Sequence, residues 1–282
     1  MGAQRDAVDQ LRLMTCGSVD DGKSTLIGRL LWETGSVPAD EIERVRRESV
    51  ALGRAFDPAL LLDGLEAERA QQITIDIAWR YFGTARRRFV VADAPGHEEH
   101  TRNMVGAATQ VDLAVLLADA ARGATVQTLR HARLAAMFGV RTFVLAVNKM
   151  DAAGFDPAAF DRLVALGRRL EDELGAGVVA IPLSARDGDN VVARSQRTPW
   201  YGGPTLLEAL EAAPVEDDAA NRPLRLPVQW VNRADGFRGY AGSVASGRVR
   251  RGERVRVAGS GREATVARLL TPDGDAEAAA AG

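Results

Sequence analysis

Gly17-Ser18-Val19-Asp20-Asp21-Gly22-Lys23-Ser24 fits the pattern G-x-x-x-x-G-K-[ST] and decides how the chain folds. An apolar run, Leu11 to Cys16, precedes it, and a segment of helical character, Lys23 to Glu33, follows. Strand, glycine-rich turn and helix in that order make a phosphate cradle. The glycines let the backbone wrap closely, so that amide N–H groups point at phosphate oxygens. The helix adds its positive dipole end. Lys23 is expected to reach the β and γ phosphates and Ser24 to ligate Mg²⁺ through its hydroxyl. Asp20 and Asp21 sit oddly beside a polyanion; with backbone donors lining the inside, both side chains are expected to point away.

Outward from this loop, short apolar runs alternate with helical segments. Expected strands are Leu11 to Cys16, Ile75 to Phe82, Phe89 to Ala92, Leu113 to Ala118, Thr142 to Val147 and Val178 to Pro182. Expected helices are Lys23 to Glu33, Thr101 to Ala107, Val126 to Phe138, Pro157 to Leu174 and Thr205 to Ala212. That alternation predicts an α/β fold with a mostly parallel sheet and helices on both faces, occupying residues 1–214. In such sheets a ligand sits at the carboxyl ends of the strands. Gly35 to Gln72 is long, charged and without a clear strand, which marks an insertion expected to be functional or mobile. Residues 215–227 read as a linker. Residues 228–282 read as an incomplete antiparallel β-barrel, with strands expected at Val228 to Asn232, Gly242 to Ser246, Arg254 to Ala258 and Thr265 to Leu270. The Ala-rich tail from Ala276 to Gly282 is expected to close nothing.

Further motifs fall at the expected strand ends. Asp93-Ala94-Pro95-Gly96 can hold the Mg²⁺ shell through Asp93 and present a bare backbone N–H from Gly96 to a γ phosphate. His97 follows directly and is placed to orient an attacking water; His100 and His131 have no such context. In Asn148-Lys149-Met150-Asp151, the Asp151 carboxylate can accept two coplanar hydrogen bonds, the arrangement that guanine N1–H and its N2 amine offer. Adenine offers neither, and a site built to bond a missing group rejects the analogue by ~10⁴ or more. Asn148 can bond the base or brace the neighbouring loop, and the stem of Lys149 can cover the ring. Ser184-Ala185 can supply a backbone N–H to guanine O6. Thr74, just before the second strand, can complete the Mg²⁺ shell, which would make the Gly35 to Gln72 segment a nucleotide-dependent switch. Residues 17–25, including Thr25, with Asp93, Asn148, Lys149, Asp151, Ser184 and Ala185, form the expected GTP/GDP site.

Composition narrows the field. The 282 residues carry a net charge of −2, so no global positive field favours nucleic acid or anionic membrane. Arg86-Arg87-Arg88 reads as a solvated turn. One cysteine, Cys16, excludes an intramolecular disulfide and reads as a small buried residue. No signal-like segment or membrane-length apolar run is evident, so the expected location is cytoplasmic.

These motifs resemble the translational GTPases of the elongation factor Tu class. Where elongation factors usually read G-H-V-D-H-G-K-T-T, Gly17 to Thr25 look like the GTPase subunit of bacterial sulfate adenylyltransferase (ATP sulfurylase). Asp63-Gly64-Leu65-Glu66-Ala67-Glu68-Arg69, Thr101-Arg102-Asn103-Met104, Gly188-Asp189-Asn190-Val191 and Pro199-Trp200-Tyr201 are similar to that branch too. So are Phe237-Arg238-Gly239-Tyr240-Ala241-Gly242 and Ala245-Ser246-Gly247-Arg248-Val249, and the likeness runs from about Leu11 to Asp275. The resemblance implies a subunit that hydrolyses GTP to drive formation of adenosine 5′-phosphosulfate from ATP and sulfate. It implies a partner, the adenylyl-transferring small subunit, which holds the ATP and sulfate chemistry.

Three departures stand out. The family usually has Gly before Ile-Thr, where this chain has Gln72, a change that bears on switch closure. The family's Asp-Thr-Pro-Gly reads Asp93-Ala94-Pro95-Gly96. The family has two β-barrels after the GTPase domain, so this chain is expected to be a piece or trimmed version of a longer protein, or a degenerate copy. Two rivals stay open at this point: a translational elongation-type GTPase, and a GTP-binding switch module with little hydrolysis.

Overall fold

In the computed structural model, residues 10–51, 53, 56–62, 77–96, 101–215, 218–234, 237–271 and 274–281 are described. A six-stranded sheet is built, in spatial order, from β2 (Ala78–Gly83), β3 (Arg88–Asp93), β1 (Gln10–Cys16), β4 (Leu113–Asp119), β5 (Thr142–Asn148) and β6 (Gly177–Pro182). Only β2 runs antiparallel, against β3; all other pairings are parallel. The sheet is therefore mostly parallel, and its parallel strands read as near-continuous apolar runs because both faces are covered. In β1 the alternation sends Leu11 and Leu13 into one core, and Met14 and Cys16 into the other.

The first core packs α1 (Lys23–Glu33) through Leu26, Ile27 and Leu30, and α6 (Leu206–Ala212) through Leu206 and Leu210. The second packs α3 (Thr101–Ala108), α4 (Val126–Met137) and α5 (Pro157–Leu174) on the opposite face. Each large side chain buried this way contributes about 1.5–3 kcal/mol. Local signals set the helix limits. Asp156 accepts from the Ala158 N–H at 2.9 Å with Pro157 in the first turn, and Gly175 (φ +59°) ends α5. Thr205 and Glu208 form a reciprocal capping box at α6.

Three features add to the sequence reading or depart from it. The insertion after Gly35 holds a helix, α2 (Ala39–Ala51), followed by a 3₁₀ turn at Pro58–Leu61. Its only buried residues are Val45 and Ser49, and Arg44 pairs with Glu41 and Glu48 on the outer face. A helix burying so narrow a stripe gives little apolar periodicity to read. Second, Arg86-Arg87-Arg88 is not simply solvated. The buried Arg87 donates to the carbonyls of Leu210 (2.9 Å) and Ala213 (2.6 Å), and Arg86 pairs with Glu211. These contacts tie the β2–β3 turn to the end of α6, whose last carbonyls otherwise lack donors.

The third departure concerns the C-terminal segment. The chain divides into two compact units, Met1–Val215 and Glu216–Gly282. Among its described residues the second unit has four two-stranded antiparallel ladders. These pair β7 (Trp230–Ala234) with β8 (Phe237–Ala241), β9 (Arg248–Arg250) with β14 (Ala278–Ala280), β10 (Arg254–Arg256) with β11 (Glu263–Thr265), and β12 (Leu269–Thr271) with β13 (Gly274–Ala276). The alanine tail thus pairs with β9 instead of closing nothing, and Gly242 to Ser246 is not a strand. Among the described residues no helix is long and apolar enough to cross a membrane.

Candidate nucleotide site

β1, β3, β4 and β5 are parallel, so Cys16, Asp93, Asp119 and Asn148 end on one edge of the sheet. The loop after β1 turns through Gly17 (φ +152°) and Gly22 (φ +92°). Neither position admits a side chain: a Cβ on Gly17 would stand 2.8 Å from the Leu117 carbonyl oxygen, and one on Gly22 would strike the Asn148 amide. Lys23, 7% exposed, donates to the carbonyls of Ser18 (2.8 Å) and Gly17 (3.4 Å). Burial lowers its pKa, and the charges of Asp93 and Asp21 oppose that shift. The Ser24 hydroxyl donates to Asp93 Oδ2 at 3.3 Å, and Thr15 donates to Asp93 Oδ1 at 3.4 Å. Gly96 packs on the same loop: a Cβ there would press on the Lys23 ammonium and lie 3.0 Å from Val19 N.

Asp20, at φ +65°, is exposed, whereas Asp21 turns inward and is 1% exposed. This corrects the expectation that both carboxylates point away. Asp21 Oδ2 accepts the Ser18 N–H at 2.7 Å and closes the loop on itself. Asp21 Oδ1 has no hydrogen bond and faces the Arg122 guanidinium at 3.6 Å. Burial raises its pKa, against the Ser18 N–H and the charges of Lys23 and Arg122.

The second half of the site hangs from β5 and β6. The Asn148 side chain donates to the Asp21 carbonyl at 2.7 Å and accepts the Ala185 N–H at 2.9 Å, so one amide joins the phosphate loop to the loop after β6. Ser184-Ala185 was expected to supply a backbone N–H to a base; here the Ala185 N–H is engaged by Asn148 and the Ser184 N–H by the Asp189 carbonyl at 3.1 Å. Lys149 (φ +61°) pairs with Asp119 at 3.1 Å. Asp119 also accepts from the N–H groups of Ala121 and Arg122 and from the Arg122 side chain. Burial pushes the Asp119 pKa up, but those donors and Lys149 outweigh it and the net shift is downward. Asp151 Oδ1 accepts from the Ser184 hydroxyl at 2.7 Å, and its Oδ2 pairs with Arg186 at 3.0 Å. Val19, in the loop after β1, and Thr25, in the first turn of α1, are half-buried. Thr74 and His97, together with Gln72 and His100, lie outside the described residues.

Sequence reasoning passed over Asp119 and gave His131 no functional role. Asp119 ends β4 on the edge where such sheets bind ligands, and that position was its available signal. His131, wholly buried on α4, accepts the Gly17 N–H through Nδ1 at 3.3 Å. On the other side of the ring, His131 Nε2 lies 2.9 Å from the Gln127 side-chain nitrogen. Burial lowers the His131 pKa to about 4 and keeps the ring neutral. No sequence spacing announces that contact. Beneath the loop, burial pushes the Cys16 thiol up to about 12.

The Ser24 hydroxyl and the Asp93 carboxylate are hard oxygen donors at hydrogen-bonding distance, and they fit Mg²⁺. Among the described residues no group of three or more His, Cys, Asp or Glu side chains is set to cage a metal. Mg²⁺ beside phosphates needs only one or two protein ligands.

Comparison with known proteins adds three findings. Residues 9–214 match the family described as the elongation factor Tu GTP binding domain. A curated relative named "Bifunctional enzyme NodQ", from a Rhizobium species, is 51% identical over 285 residues, covering 99% of this chain and 44% of that protein. "Sulfate adenylyltransferase subunit 1" from Aeromonas salmonicida is 50% identical over 277 residues, covering 96% of this chain and 59% of the relative. The chain thus spans about half the length of the curated relatives it matches. Among solved structures, sup35 complexed with GDP aligns with a TM-score of 0.55 at 26% identity, covering 100% of this chain and 64% of that one.

Proposed function

This chain belongs to the elongation factor Tu GTP binding domain family, and from that premise we propose that it binds guanine nucleotide with Mg²⁺ and hydrolyses GTP to GDP and phosphate. We further propose that the hydrolysis drives sulfate activation by a separate adenylyl-transferring subunit. The observation that carries the nucleotide reading is the Asn148 amide, which locks Asp21 of the phosphate loop to Ala185 of the base loop through two buried bonds. Phosphate and base recognition are thereby built as one unit.

In this reading the loop amides and Lys23 hold the β and γ phosphates, and Ser24 and Asp93 would hold Mg²⁺. Bound Mg²⁺ neutralises charge on the phosphate oxygens. Lys23 exchanges its bonds to the Ser18 and Gly17 carbonyls for phosphate oxygens. Gly96, already against the loop, offers its N–H to the γ phosphate, and Thr74 would complete the Mg²⁺ shell. His97 orients a water for in-line attack; the bond from the γ phosphorus to the β–γ bridging oxygen breaks and GDP leaves. Asp151 reads guanine N1–H and the N2 amine, with Ser184 holding the carboxylate in plane. Catalysis of this kind is positioning and charge stabilisation, and turnover stays slow until a partner completes the site.

The link to sulfate rests on relatives named "Sulfate adenylyltransferase subunit 1" at about half identity through nearly the whole chain. The word "subunit" in that name supports a complex with a second chain. The test is GTP hydrolysis by this protein alone, and then with the adenylyl-transferring sulfurylase subunit, ATP and sulfate. Stimulation that requires all three additions is the expected result. Tight GTP binding without stimulation would remove the sulfate reading and leave a GTP-binding switch.

A further inference from the structure

Arg29 lies on α1, six residues after Lys23, and is only 6% exposed. Its guanidinium is directed at the base loop, away from the phosphates. Nε donates to the Ala185 carbonyl at 3.0 Å, and a second nitrogen donates to the Arg186 carbonyl. The third nitrogen pairs with Glu33 at 3.3 Å, and the guanidinium carbon stands 4.8 Å from the centre of the Trp32 ring. Gly188 (φ +94°) closes over this pair: a Cβ there would strike the Glu33 carboxylate and stand 3.6 Å from Arg29. The loop from Ser184 to Gly188 is therefore folded around a buried cation, fixed by the Gly188 N–H to Ser184 carbonyl bond at 2.8 Å.

Burying a guanidinium is costly unless its donors are met. Here the planar fork meets two consecutive carbonyls, a match that the single ammonium of a lysine lacks. Ala185 is thus held at both ends of its peptide units, its N–H by Asn148 and its carbonyl by Arg29. Ser184, one residue earlier, carries the hydroxyl that holds Asp151.

We infer that Arg29 is a positioning residue for base specificity, fixing the Ser184–Arg186 turn so that Asp151, braced by the Ser184 hydroxyl, presents to guanine in one geometry. The inference rests on the guanine-binding reading above. It also makes α1 a rigid link whose first residue handles phosphate and whose seventh sets the base loop.

The experiment measures equilibrium binding of GDP, IDP, ADP and inorganic tripolyphosphate to nucleotide-free protein, for the wild type, Arg29→Met and Arg29→Lys. IDP lacks the exocyclic amine, so the GDP:IDP ratio reports how well Asp151 is aimed, while tripolyphosphate reports the phosphate loop alone. Arg29→Met is expected to weaken GDP about 10- to 100-fold, as for lost charged hydrogen bonds. It should collapse the GDP:IDP ratio towards one and leave tripolyphosphate binding unchanged. Arg29→Lys is expected to recover part of the ratio. A ratio equal to wild type in Arg29→Met would overturn the inference while leaving guanine recognition intact. Equal losses for GDP and tripolyphosphate would also overturn it, by reducing Arg29 to general support of the fold. A wild type that fails to prefer GDP over ADP would overturn the guanine reading, and this inference with it.

Discussion

In the unit Met1–Val215, the polar contacts that shape the loops are buried: Asn148 to Asp21 and Ala185, Gly17 to His131, Arg29 to Ala185. In the unit Glu216–Gly282, the polar contacts between side chains lie on the surface: Arg254 with Glu263, Arg268 with Asp275, Arg251 with Glu277. The first unit rests on a six-stranded sheet with a core on each face. The second has strands in pairs, and among its described residues the buried apolar side chains are Val249 and Ala281, while Trp230 is 68% and Tyr240 60% exposed. A two-stranded ladder alone is marginal in water. The comparison teaches that a loop can be held in a fixed shape by a few buried bonds only where a deep core holds the strand ends that carry it.

The most severe way to test that contrast is at the base. Asp151→Asn replaces an acceptor pair with an amide that also donates. Preference for GTP over ATP, of order ~10⁴ in such sites, is expected to be lost, with affinity moving towards xanthine nucleotides, whose second carbonyl accepts. Competition binding with the four purine triphosphates measures it, and strict retention of GTP preference would remove Asp151 from base recognition.

A smaller effect is expected at His131. Its folded pKa is about 4, below the ordinary value of 6.5. The unfolded chain therefore binds the proton first as pH falls, and the folded state loses stability from about pH 6.5 down to about pH 4. The full loss is on the order of 3 kcal/mol. His131→Gln keeps an acceptor for the Gly17 N–H and removes the titration. Denaturant melts across that window should show a flatter pH dependence for the variant; parallel curves would mean that His131 is not the titrating group.

The smallest effect belongs to the second unit. Arg268→Ala removes an exposed ion pair, and no measurable change in the melting of the protein is expected. A clear loss would show that surface pairs hold those ladders more firmly than their exposure suggests.

How much of this was legible in the sequence follows the same division. The parallel strands and most helices of the first unit were readable because each buries a continuous run or a broad stripe, as Leu113–Asp119 and Pro157–Leu174 do. The residues proposed for phosphate and base were singled out because glycines and polar side chains at strand ends have few other reasons to occur together. Helix α2 was not legible, since its buried stripe is two residues wide. Arg29 and His131 were not legible because their partners are backbone groups far along the chain, and no side-chain pattern encodes a carbonyl or an N–H. In the second unit the alanine tail hid its pairing with β9, because alanine favours helix and ladder bonds come from the backbone alone.

Cys16 carries one last consequence. It is the chain's single cysteine, fully enclosed, with a thiol that stays protonated at any pH the protein experiences. Alkylating reagents act on accessible thiolates, so the native protein is expected to be inert towards maleimides. One cysteine introduced on each compact unit would then be the only sites to take a fluorescent label, with no background to remove. Energy transfer between such dyes could follow the two units through a cycle of nucleotide binding and release in otherwise unmodified protein.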